Sequence, residues 1–192
     1  LASEFRYSEP ILGESSLVII ISQSGETLDS MAALREAKRR GSKVLSIVNV
    51  MGSSIARESD YVLYTWAGPE IAVATTKAYT TQMVLLLMFG VYLAKQLDRM
   101  EQEEYMAVTR GLQELPEKIS IVLSDIDHYQ KAASRYFNHN SVFYIGRNLD
   151  YALGLEGSLK LKEISYIHSE SYASGELKHG TISLIEPGTL VF

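Results

Sequence analysis

Leu17-Val18-Ile19-Ile20-Ile21-Ser22-Gln23-Ser24-Gly25-Glu26-Thr27 is the stretch whose reading decides the fold. The apolar run Leu17–Ile21 has the character of a strand buried on both faces. A helical pattern opens at Leu28, with Leu28, Met31, Ala32, Leu34 and Ala37 on its apolar stripe and Gly41 placed as its stop. Between strand and helix lie the hydroxyls of Ser22, Ser24 and Thr27, together with Gly25. A helix start presents unpaired N–H groups and the positive end of the macrodipole, which together favour an anion, above all a phosphate. The same residues also fit a plainer description, in which Thr27 caps the helix and the serines fill a turn. No lysine stands in the loop, which excludes a Gly-Lys-Ser/Thr nucleotide loop.

Working outward, Val44–Val48 and Tyr61–Tyr64 read as further strands. Apolar strands alternating with helices argue for an α/β protein with a parallel sheet covered on both faces. Thr75–Leu97 has the pattern of a long helix. Its apolar run Met83–Ala94 is too short to span a bilayer and reads as buried. Glu103–Asp125 is expected to be helical but interrupted at Pro116, and Tyr129–Phe137 forms another helix. Val142–Arg147 then restarts the α/β pattern, followed by a helix over 152–165 and the start of a strand at Thr189–Phe192. The expected organisation is a first module over 1–98, a helical connection over 99–138 and the start of a second module over 139–192.

The 192 residues are 46% hydrophobic, enough to bury a core, which excludes a disordered chain. Lys and Arg number 18 against 23 Asp and Glu, for a net charge of −5 and no basic excess that would call for nucleic acid. Nothing resembles a signal peptide, and no membrane partner is expected. The absence of cysteine excludes disulfides, a thiolate metal site and a cysteine nucleophile, and fits a cytoplasmic setting. His128, His139, His168 and His179 lack metal-ligand spacing, so no metal is expected. No Gly-x-Gly-x-x-Gly follows a strand, so no dinucleotide is expected, and no other cofactor is implied.

Glu156, Lys160 and Glu163 stand at i, i+4 and i+7, on one face of a helix. Such a stripe is either a surface ion-pair ladder or, beside Leu155, Leu159 and Leu161, a partly desolvated carboxylate suited to proton transfer next to a carbonyl or imine. His179 fits either a loop histidine or an acid–base group.

Ser22–Thr27 after its strand resembles the phosphosugar loop of sugar isomerase (SIS) domains. The segments Ala67–Ala78, Leu155–His168, Ser169–Ala173 and Gly175–Gly180 narrow the resemblance to the isomerase half of the glucosamine-6-phosphate synthases. That resemblance implies an SIS-type three-layer αβα sandwich in two tandem modules. Both are expected to be truncated, the first lacking its opening strand, with a glutaminase domain and a C-terminal lysine outside the chain. By itself such a piece is expected to be inactive. The resemblance further implies phosphate binding by Ser22, Gln23, Ser24 and Thr27, and sugar contacts from Val73 and Thr75. Glu163 is then the base moving a proton between C1 and C2 of the sugar, with Glu156 near the reacting end and Lys160 in electrostatic support. His179 opens the fructose ring and is donated across a homodimer. A phosphosugar-sensing SIS module without catalysis, and an SIS-type deglycase of fructosamine phosphates, remain the competing functions.

Overall fold

Strands β1 (Leu17–Ser22), β2 (Lys43–Val48) and β3 (Tyr61–Tyr64) form a parallel sheet in the order β1-β2-β3, with Ile19 paired to Leu45 and Ile47 to Leu63. They belong to the computed structural model, which describes residues 1–192. The chain divides into two units, Leu1–Leu112 and Gln113–Phe192, the divide falling within a single helix.

In the first unit a short helix α1 (Ala2–Phe5) precedes β1, and α2 (Leu28–Arg39) and α3 (Ser54–Glu58) are the crossovers. Helix α2 ends where Gly41 adopts φ +86°, so that the Gly41 and Ser42 amides donate back to Lys38 and Ala37. Parallel strands advancing in one direction through right-handed crossovers place every connecting helix on one face. The core accordingly forms there, from Ile20, Leu34, Ala37, Val44, Val48 and Ile55. The opposite face is covered at β2, where Leu45 and Ile47 are buried, but not at β1, where Leu17, Ile19 and Ile21 are exposed.

Helix α4 (Lys77–Gln96) begins two residues after its expected start, but it is not the buried helix its composition implied. Only Ala78 and Val91 are buried, and Met83, Leu87, Met88 and Tyr92 are exposed. By length and composition it is the one helix apolar enough to cross a membrane, and 6% of its apolar window is buried within the chain. Its apolar residues surround the axis instead of forming a stripe, so no single sheet could cover them. Helix α5 (Gln102–Ser124) runs unbroken through Pro116, where an interruption was expected. Proline removes one N–H and crowds the carbonyl four residues back, but the turns on either side retain their own bonds.

The second unit contains α6 (Ile126–Tyr136), β4 (Ser141–Gly146), α7 (Leu149–Ser165), β5 (His168–Ala173), a 3₁₀ turn at Thr181–Leu184 and β6 (Leu190–Val191). Its parallel sheet has the order β5-β4-β6. Val142 and Phe143 are its buried apolar side chains, and Phe143 stacks on Tyr172 while Tyr144 stacks on Phe192. No sequence pattern marked β5, because its segment His-Ser-Glu-Ser-Tyr-Ala has no apolar run. The ladder to β4 makes it a strand, and the buried Ser169 hydroxyl is satisfied by Ser158.

Candidate functional site

The loop after β1 turns on Gly25, at φ +66°. Thr27 is the N-cap residue of α2 but makes no side-chain cap bond. Its hydroxyl instead pairs with that of Ser22 at 2.9 Å, and Ser22 Oγ also accepts the Gly25 amide at 3.1 Å. Ser24 Oγ accepts the Glu26 amide at 3.2 Å. The three hydroxyls therefore gather around the loop while the first amides of α2 keep no side-chain acceptor. Thr27 does not cap α2 with its side chain, whereas Ser22 and Ser24 do bond backbone amides of the turn; amides left free at a helix start are the kind of donors an anion can use.

The loop carbonyls face elsewhere. Gln23 O accepts the Asn49 amide at 3.1 Å, and Gly25 O accepts the Ile55 amide at 2.9 Å. Asn49 continues the connection: its Oδ1 accepts Thr65 Oγ1 at 3.0 Å and the Ala67 amide at 2.9 Å, and its Nδ2 donates to Gly68 O at 2.7 Å. This anchors the start of the 67–76 segment. Near its end Glu70 Oε2 accepts the Ala78 amide at the start of α4. Within that segment Val73 is 94% exposed and Thr75 half-buried.

In the second unit α7 lies close on its sheet because Gly154 and Gly157 carry no side chains. A Cβ at Gly154 would stand 2.6 Å from Ser171 Oγ, and one at Gly157 would stand 3.3 Å from the Tyr144 ring. Ser158, on the same face, bonds Ser169 at 3.0 Å. At 100° per residue, this directs Glu156, Lys160 and Glu163 to the face away from the sheet. Lys160 Nζ sits 2.5 Å from Glu163 Oε2 and 3.7 Å from Glu156 Oε1. The side chains of Glu156, Lys160 and Glu163 are 23%, 20% and 31% exposed. Lys160 pairs with Glu156 at i,i+4 and with Glu163 at i,i+3, the contacts of an ion-pair ladder, and the carboxylates keep lone pairs available to a ligand.

His179 is exposed; its ring makes no hydrogen bond, and its backbone amide donates to Glu176 O at 2.9 Å. The structure thus brings Ser22, Gln23, Ser24 and Thr27 together in one unit and Glu156, Lys160 and Glu163 together in the other. Val73, Thr75 and His179 lie on other segments of their own units. Sequence reasoning missed Asn49, whose amide holds Gln23 O and whose side chain anchors the 67–76 segment. The available signal was a polar residue placed directly after the β2 strand.

Comparison with known proteins gives the family of the chain. The SIS domain profile matches residues 1–92 and 135–192. The chain is 57% identical over 191 residues to the glutamine–fructose-6-phosphate aminotransferase (isomerizing) of Caldanaerobacter subterraneus subsp. tengcongensis, covering 100% of this chain and 31% of that protein. It is 54% identical to the protein of the same name from Clostridium acetobutylicum, with the same coverage. The chain therefore spans about a third of the length of the curated relatives it matches. The solved C-terminal domain of glucosamine-fructose-6-phosphate aminotransferase from Francisella tularensis superposes with a TM-score of 0.95 at 39% identity, over 99% of this chain and 54% of that one. A hydroxyl loop on an uncapped helix after a parallel strand, matched by a profile covering most of the residues, places the chain in the SIS domain family.

Proposed function

We propose that this chain is part of the isomerase portion of an enzyme that makes glucosamine 6-phosphate from fructose 6-phosphate and glutamine-derived ammonia. The observation that carries the reading is the uncapped start of α2 ringed by the Ser22, Ser24 and Thr27 hydroxyls, a seat for a phosphate. Gln23 adds an amide donor there, and Val73 and Thr75 meet the sugar.

The chemistry needs ammonia to condense with the C2 ketone, releasing water and leaving an imine. Glu163 then takes a proton from C1 as the imine nitrogen is protonated and a C1–C2 double bond forms, and it returns that proton to C2 as the C1 hydroxyl gives up its own, which leaves the amine at C2 and an aldehyde at C1. Lys160, held between Glu163 and Glu156, stabilises negative charge developing on the substrate oxygen. His179, exposed and free of hydrogen bonds at its ring, opens the fructose ring from a neighbouring subunit of a homodimer. In this reading 1–98 is one SIS module, 99–138 a helical connection and 139–192 the start of a second, in a cytoplasmic enzyme. The shared ammonium of Lys160 favours catalysis over phosphosugar sensing, which needs the loop but no base.

The test is glucosamine 6-phosphate formation by the complete enzyme from fructose 6-phosphate and ammonia, with and without Ser24→Ala and Thr27→Ala together. The pair raises KM for the sugar phosphate. No product from the wild-type enzyme, or an unchanged KM in the pair, overturns the reading.

A further inference from the structure

Glu26 is the charge in the phosphate loop that electrostatics alone would not place there. Its carboxylate is an anion in a loop read as an anion site, so its charge opposes the ligand. What it does in the structure is accept the Ser54 amide at 2.7 Å, across a separation of 28 residues. That bond is the largest cause holding its carboxyl below the usual range, so the group is ionised near neutral pH. It is the third of three bonds from the β2–α3 segment to the loop, after Asn49 to Gln23 O and Ile55 to Gly25 O. The fit between the two segments is close. Ser53 is 3% exposed, and a Cβ on Gly25 would stand 2.0 Å from its Oγ. With the carbonyls of Gln23 and Gly25 and the Glu26 carboxylate all turned toward the second segment, the opposite side of the loop is left to donors.

We propose that Glu26 is a positioning residue of the phosphate loop: by gripping the Ser54 amide it locks the loop onto the β2–α3 turn in the orientation that presents donors to a phosphate. The proposal rests on the phosphate reading of Ser22–Thr27 above. Glu26 does not touch the ligand and acts through the backbone of Gly25.

Three variants of the complete enzyme test it, with KM and kcat for fructose 6-phosphate and the thermal midpoint as readouts. Glu26→Ala raises KM about fivefold, the scale of one net hydrogen bond, while kcat and the midpoint hold. Glu26→Gln keeps an acceptor oxygen without the charge and returns KM to near the wild-type value. Ser54→Pro removes the donor instead. Ser54 is the first residue of α3, where proline fits, and Ser53 at φ −61° and ψ 162° already has the backbone that precedes a proline. It raises KM as Glu26→Ala does, and the two changes together are no worse than either alone.

A KM that is unchanged or lower in Glu26→Ala, a Gln variant as impaired as the Ala variant, or additive effects in the double variant each overturns the proposal. If Ser24→Ala with Thr27→Ala leaves KM unchanged, the phosphate reading falls and this proposal falls with it. If that pair raises KM while Glu26→Ala does not, the positioning role alone is overturned.

Discussion

The proposed chemistry rests on single side chains, and two residues separate function from packing. Glu163 lies on the outward face of α7 with its carboxylate on Lys160. Replacing it by Gln keeps size and hydrogen bonding but removes basicity. Turnover of fructose 6-phosphate should fall by about 10²–10⁴-fold, the usual contribution of a positioned acid–base group, with KM nearly unchanged. Steady-state kinetics retaining turnover within about threefold would show Glu163 to be only one arm of an ion pair. Ser53 makes the opposite case. Its hydroxyl is buried without a hydrogen-bond partner, and it caps no helix amide. A buried unpaired hydroxyl costs free energy, so Ser53→Ala should be neutral or stabilising by up to about 1 kcal/mol in denaturant unfolding. A loss of stability beyond that would mean that the hydroxyl has a partner.

Elements of the fold set where those side chains stand. Helix α7 leaves the end of β4 at Gly146, where a Cβ would lie 2.5 Å from the backbone of Asp150 and Tyr151. Backbone atoms cannot rotate away, so Gly146→Ala must shift the first turn of α7. Overpacking of this kind costs about 1–3 kcal/mol, and the same shift carries Glu156, Lys160 and Glu163 with it. Stability and turnover should therefore fall together, whereas Glu163→Gln lowers turnover alone; circular-dichroism melting beside kinetics separates the two. Pro116 inside α5 gives the reverse expectation. An interior proline lacks its amide and costs about 3 kcal/mol relative to alanine in a helix. Pro116→Ala should raise the denaturant midpoint, and a lowered midpoint would mean that Pro116 is held by packing of its own.

At the scale of the whole molecule, apolar surface is the leading feature. Met83, Leu87, Met88 and Tyr92 on α4, and Leu17, Ile19 and Ile21 on β1, are exposed, and β1 is an edge strand. Exposed apolar side chains on a long helix and an unpaired strand edge both favour association. The chain alone should sediment as a dimer or larger species at micromolar concentration, and Leu87→Glu with Met88→Glu should shift it toward monomer. A monomer over that concentration range would contradict this.

The sequence by itself determined the alternation of strand and helix, the β1–α2 loop and the spacing of Glu156, Lys160 and Glu163. These are local patterns, set by the chain's own periods of 2.0 and 3.6 residues and by turn chemistry within a few positions. It also carried a resemblance that named the family. Tertiary structure decided what those patterns face. The Thr27 hydroxyl pairs with that of Ser22 instead of capping α2, and Gly25 and Glu26 are held by Ile55 and Ser54 far along the chain. The polar segment His168–Ala173 becomes a strand through its ladder to β4, and α4 stays exposed despite an apolar composition that reads as buried. The physical reason is the same in each case. A local period gives a segment its conformation and phase, while burial and polar partners come from residues distant in sequence, which no local window contains.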